Sequence, residues 1–150
     1  MCDRHNFFFE FDKAFTQQLI EKFEESPAHP LTEGVAPPAK GVYALYRSST
    51  SRGSGATGVI VYAGKALDTT LKRRLTEHAR KIAGRRNIEL NEITCRFLIM
   101  DSDWFVRAGE HALIQTYKPI WNLSGFGSHV PGIGRPGTKV SKWDTQFPPK

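Results

Sequence analysis

The chain has 150 residues, 39% of them hydrophobic and 24% charged, with a formal charge of +6 and a pI near 9.5. That length predicts one domain with a proper core, and no apolar run reaches the ~20 residues that a bilayer-spanning helix needs, so no membrane partner is expected. The basic balance points to an anionic partner, with nucleic acid first among them.

Two cysteines far apart, Cys2 and Cys95, suggest neither a disulfide nor a zinc site. Together with an opening M-C-D-R-H-N that lacks the order of a signal peptide, they lead us to expect a cytoplasmic location. Phe11, Phe15, Leu19 and Phe23 recur every fourth residue and predict a helix over about 11–25, capped by Asp12 and stopped by Pro27 and Pro30. It reads as a packing helix, or else as one that docks a partner or a second copy. Residues 26–40 carry Pro27, Pro30, Pro37 and Pro38 and read as an extended connector.

Residues 41–64 hold two apolar, aromatic runs, G-V-Y-A-L-Y-R and G-V-I-V-Y-A-G, around a polar loop with a single Arg52. That is a hairpin pattern with a long loop. Gly41 lies two places before Tyr43 and Gly64 two places after Tyr62, so each phenol has a neighbour that leaves room for a close approach. Tyr is also a common strand residue, and ordinary packing is the plainer reading.

Beyond Lys65, the residues Leu71, Leu75, Ala79 and Ile82 form a helical stripe, capped by Asp68, Thr69 or Thr70 and closed by Gly84. Its polar side is lopsided: Lys72, Arg73, Arg74, Arg80, Lys81, Arg85 and Arg86 oppose only Glu77. A merely solvated face would mix signs, so phosphate contact is expected. Arg74 and His78, four apart, share a face and can address one phosphate, with Lys65 aimed at the same neighbourhood.

Residues 92–100 predict a third strand, and a well-capped helix follows to Tyr117. Its apolar side is assigned to Trp104, Phe105, Val106, Ala112, Leu113 and Tyr117. Glu110 falls on or beside that stripe, where a carboxylate needs a cation, either a side chain or a metal. Gly109 next to it costs a helix about 1 kcal/mol relative to Ala, which suggests shaping by function. Pro119 breaks the helix before Trp121 and Asn122. The Gly/Pro-rich text from about 123 to 150 predicts no regular structure. Its Phe126, His129, Arg135, Lys139, Lys142 and Trp143 could lie on DNA, on a second subunit or on their own domain.

Taken together, Gly41-Val42-Tyr43, Tyr62-Ala63-Gly64, Arg74, Glu110 and Asn122 resemble the GIY-YIG nuclease superfamily. The Arg74/His78 pair and the G-I-G-R-P-G…S-x-W-D text at 132–144 bring the chain nearest to its small type II restriction endonucleases. Val42 and Ala63 replace motif isoleucines, and the short span from Tyr62 to Arg74 leaves little space for the inserted DNA-contacting element of some relatives. The resemblance implies an α/β (α+β) fold over residues 1–150: one domain, with a three-stranded, mainly antiparallel sheet flanked by helices.

It also implies catalytic roles for Tyr43, Tyr62, Arg74, His78, Glu110, Asn122 and Lys65. Glu110 as the one protein ligand would suit a hard ion with a mostly aqueous shell, Mg²⁺ or Mn²⁺ in its place. Tyr43 would hold or deprotonate the water, with nearby cations lowering its pKa. His78 or Lys65 are alternative bases, Tyr62 would orient water or phosphate, and Asn122 would fix Glu110 or a water. Arg52, Lys72, Arg73, Arg80, Lys81, Arg135 and Lys139 are the expected DNA contacts. The partner would be double-stranded DNA, met by a homodimer at a palindromic site. The alternatives are a structure-selective repair or recombination nuclease and a DNA-binding module without cleavage.

Overall fold

The computed structural model describes residues 4–48, 58–126 and 141–150, with side chains from residue 10 onward. Its elements are α1 (Arg4–Glu25), β1 (His29–Pro30), β2 (Gly41–Arg47), β3 (Val59–Ala66), α2 (Leu71–Ala83), β4 (Ile93–Ile99), α3 (Asp103–Tyr117), α4 (Ile120–Ser124) and α5 (Lys142–Gln146). They build an α+β domain around an antiparallel sheet of order β1-β4-β2-β3. The sheet has four strands where three are expected. The extra one is the two-residue β1, whose Pro30 cannot donate to a ladder and so sits at an edge.

Tyr43 lies opposite Gly64 of β3 and Phe97 of β4. The register shifts between Leu45 and Tyr46, because Leu45 faces Tyr62 while Tyr46 faces Ile60. Val61 is therefore the extra residue of a β-bulge, and it and Tyr62 both join Tyr43 in one apolar cluster. That cluster fills the space between the sheet and α2 with Leu71, Leu75, Ala79 and Ile82, the full predicted stripe. A second cluster, with Val42, Ala44, Val106, Leu113 and Phe23, fills the other face beneath α1 and α3.

Three local expectations are corrected. Helix α1 begins at Arg4, so Asp12 lies inside it and is no cap, and Phe11 at its predicted stripe is 68% exposed. Trp104 and Phe105 in the first turn of α3 are exposed as well, Phe105 stacking on Phe15 of α1 at 5.9 Å. The region from 123 onward contains the end of α4 and all of α5. The latter is started by a reciprocal cap in which Ser141 Oγ accepts from the Asp144 amide and Asp144 accepts from the Ser141 amide.

Gly109 has a packing reason. A Cβ there would lie 3.1 Å from Val42 Cγ1, so its absence lets α3 settle on the sheet. Gly41 likewise gives room to the Leu98 carbonyl and to Leu71, not to Tyr43.

Candidate active site

Strand β2 sends Tyr43 toward α2, and α2, capped by Thr70 and Gly84, returns His78 to meet it. The Tyr43 hydroxyl and His78 Nε2 are 2.6 Å apart, and both residues are buried. Burial pushes the Tyr43 phenol well above its usual range. Tyr62 adds to that rise, and Arg74 opposes it without reversing it. Of the cations expected to hold the phenol low, Arg74 alone does not outweigh the removal of the phenolate from water. Burial also holds His78 well below its usual range, helped by the charges of Arg74 and Lys81. Both groups are thus neutral near pH 7.

Arg74 carries only donors, and its guanidinium reaches the Tyr43 phenol. Tyr62 is a second hydrogen-bonding partner of that phenol, and the direction of the Tyr43–His78 contact follows the imidazole tautomer. Arg74 Nη1 also pairs with Glu77 at 3.4 Å.

Tyr62 completes the group, its ring 6.1 Å from Tyr43 and 5.4 Å edge-on from His78. Its phenol is raised by burial, with Arg74 opposing and the Glu110 charge adding. Gly64 makes this crowding feasible, since a Cβ there would fall 2.6 Å from the Tyr43 oxygen. The room expected beside the phenols is real, but Tyr43 itself fills it.

Lys65, opposite Val42, projects on the other face of the sheet and binds Glu110 of α3, Nζ to Oε1 at 3.0 Å. The inward carboxylate thus has a side-chain cation beside it. At 30% and 24% side-chain exposure the pair contributes about 0–1 kcal/mol, too little to hold either group against a stronger ligand. No group of three or more His, Cys, Asp or Glu poised for a metal occurs among the described residues. One carboxylate near the Tyr62 phenol fits a hard cation that keeps most of its water, and does not fit zinc.

Asn122 does not reach Glu110. Its Oδ1 accepts from the Ala63 amide at 2.9 Å and its Nδ2 donates to the Ala63 carbonyl at 2.8 Å. Asn122 is a latch from α4 onto the outer edge of β3.

The helix α2 cations are less free than their sequence suggests. Arg80 binds Glu33 at 2.8 Å, Arg73 binds Glu77 at 3.3 Å, and Arg85 lies 2.9 Å from buried Asp144. Lys81 donates to the Phe126 carbonyl and stands 4.8 Å over the Phe126 ring and 4.9 Å over Trp143. Lys72 is exposed, with no ion pair among the described residues. Arg52, Arg135 and Lys139 lie outside the described residues.

Phe126 is not marked as a catalytic-site residue by the sequence. Its ring packs 4.8 Å from His78 and 4.9 Å from Tyr62, across a chain separation that no local pattern spans. Trp143 backs it at 4.8 Å, so the segment from Ser141 onward wraps its own domain, one of the three open readings.

A family model described as the Eco29kI GIY-YIG domain matches residues 56–150, about two thirds of the chain. The match takes in Tyr62, Lys65, Arg74, His78, Glu110 and Asn122 and starts beyond Tyr43. No curated protein matches the chain.

Proposed function

The chain belongs to the Eco29kI GIY-YIG domain family of restriction endonucleases, and from that premise we propose that it is a type II enzyme that hydrolyses double-stranded DNA at a short palindromic site, as a homodimer and with one divalent metal ion. The observation that carries the chemistry is the 2.6 Å contact between the Tyr43 hydroxyl and a neutral His78, beside Arg74. A phenol alone is a poor base at neutral pH. Passing its own proton to Nε2 as it takes one from water removes that difficulty.

Tyr43 has no exposed surface. Water reaches its oxygen when Arg74 leaves the phenols and Glu77 for the incoming phosphate, where a bidentate guanidinium offsets the charge that develops on the phosphoryl oxygens. Tyr62 then borders the opening and orients the water. Glu110 is the residue to hold Mg²⁺, or Mn²⁺ in its place, which when bound supplies positive charge for the phosphate and the leaving oxygen. Lys65, released from Glu110, remains beside the same oxygens as a proton donor.

The test is a mixed-sequence plasmid with Mg²⁺, cut by the native chain and by Glu110→Ala. The native chain is expected to give discrete bands and the variant to lose at least about 100-fold in rate, given what removal of a principal electrostatic group costs. A native chain that shifts the plasmid but leaves it whole in Mg²⁺ and Mn²⁺ overturns restriction and directs attention to branched DNA.

A further inference from the structure

We propose that Phe126 is a positioning residue of the catalytic pair: its ring, clamped between Trp143 and Lys81, seals the outer side of the His78 imidazole and keeps Nε2 on the Tyr43 hydroxyl. The inference rests on the nuclease reading for its meaning, though its test does not. An imidazole on a helix has two free rotations, and a single hydrogen bond does not fix both. Three rings box His78: Tyr43 at 5.5 Å, Tyr62 at 5.4 Å and Phe126 at 4.8 Å. The first two come from paired strands of the sheet. Phe126 comes from the short connection after α4, where Gly125 adopts a left-handed φ of 89° and turns the chain back.

That turn is held from outside. Lys81 donates to the Phe126 carbonyl at 3.0 Å while its ammonium covers the Phe126 and Trp143 rings. Trp143 is fully buried behind Phe126, flanked by Trp121 at 5.6 Å and Phe147 at 5.1 Å. Helix α5 is fastened in turn to the end of α2. Arg85 lies against Asp144 and donates to the Phe147 carbonyl, the Arg86 amide donates to the Pro148 carbonyl, and the Lys150 amide donates to the Gly84 carbonyl. The aromatic stack thus transmits the position of residues 141–150 to one face of the imidazole.

The charged and titratable groups around His78 are Tyr43 from β2, Tyr62 from β3, and Arg74 and Lys81 from α2 itself. Phe126 adds none. Its contribution is to exclude water, which favours the neutral ring.

The experiment is an NMR titration of the His78 ring in the native chain, Phe126→Leu, Phe126→Ala and Phe23→Leu, the last being a destabilising change on the opposite face of the sheet. Admitting water beside the ring is expected to raise the His78 titration in Phe126→Ala by about one pH unit or more, toward the unperturbed value. Arg74 and Lys81 remain and stop it from passing that value. Phe126→Leu is expected to move it less, and Phe23→Leu not at all. The acid limb of the single-turnover cleavage rate should move in the same order. If Phe126→Ala does not fold, Phe126→Leu carries the comparison. A titration unmoved in whichever Phe126 variants fold, or moved equally by Phe23→Leu, overturns the proposal. Failure of the native chain to cut DNA would sink the nuclease reading and leave the titration result standing.

Discussion

A methyl group at residue 64 would lie 2.6 Å from the Tyr43 hydroxyl, 2.7 Å from its Cζ and 3.0 Å from Tyr62 Cε1. None of these atoms has space to retreat into, because Tyr43 is fully buried against His78. Gly64→Ala is therefore expected to destabilise by about 1–3 kcal/mol, the usual cost of overpacking, and to lower the cleavage rate by turning Tyr43 off Nε2. Urea midpoints and single-turnover rates measure the two effects, and an unchanged midpoint would mean the crowding is relieved elsewhere. At this scale the sequence is informative wherever spacing within one element matters. The Arg74/His78 pair, four apart on α2, is a case, whereas the Gly64 contact with Tyr43 crosses from β3 to β2. The sequence is silent on partners chosen from afar. Glu33 takes Arg80 and Ala63 takes Asn122, and neither pairing leaves a periodic trace.

Helix α2 is legible because its cap, stripe and stop agree: Thr70, four buried apolar positions and Gly84. Helix α5 is not, since five residues inside Gly/Pro-rich text carry too few turns to show a period. The S-x-x-D of its cap, Ser141 to Asp144, is the one local signal there. The exposed Trp104 and Phe105 show the converse limit, because a first helical turn can overhang the sheet it leads to. The element that matters most for Asn122 is β3. Asn122→Ala would leave the Ala63 amide and carbonyl without their side-chain partner and detach α4 from the strand. We expect a loss of about 1–3 kcal/mol, with faster hydrogen exchange at the Ala63 amide. If cleavage falls while stability and exchange hold, Asn122 acts on the reaction and not on the strand.

Across the whole molecule, the net charge of +6 sets an attraction to DNA that salt must weaken. The ion pairs on α2 predict which cations supply it. Lys72→Ala is expected to reduce the slope of log affinity against log salt by about 1, the effect of leaving one phosphate without its cation. Arg80→Ala, whose charge Glu33 already meets, should reduce it by clearly less. Equal slopes in a filter-binding series would show that the Glu33 pair opens for DNA. The Asn122 latch also bears on how molecules meet one another. Strand β3 is an outer strand of the sheet, and its free side would invite a neighbouring chain to add a strand and start an aggregate. With the Asn122 amide clipped across Ala63, the edge groups of that residue are not offered to an added strand. Two copies are thereby steered away from joining sheet to sheet at that rung.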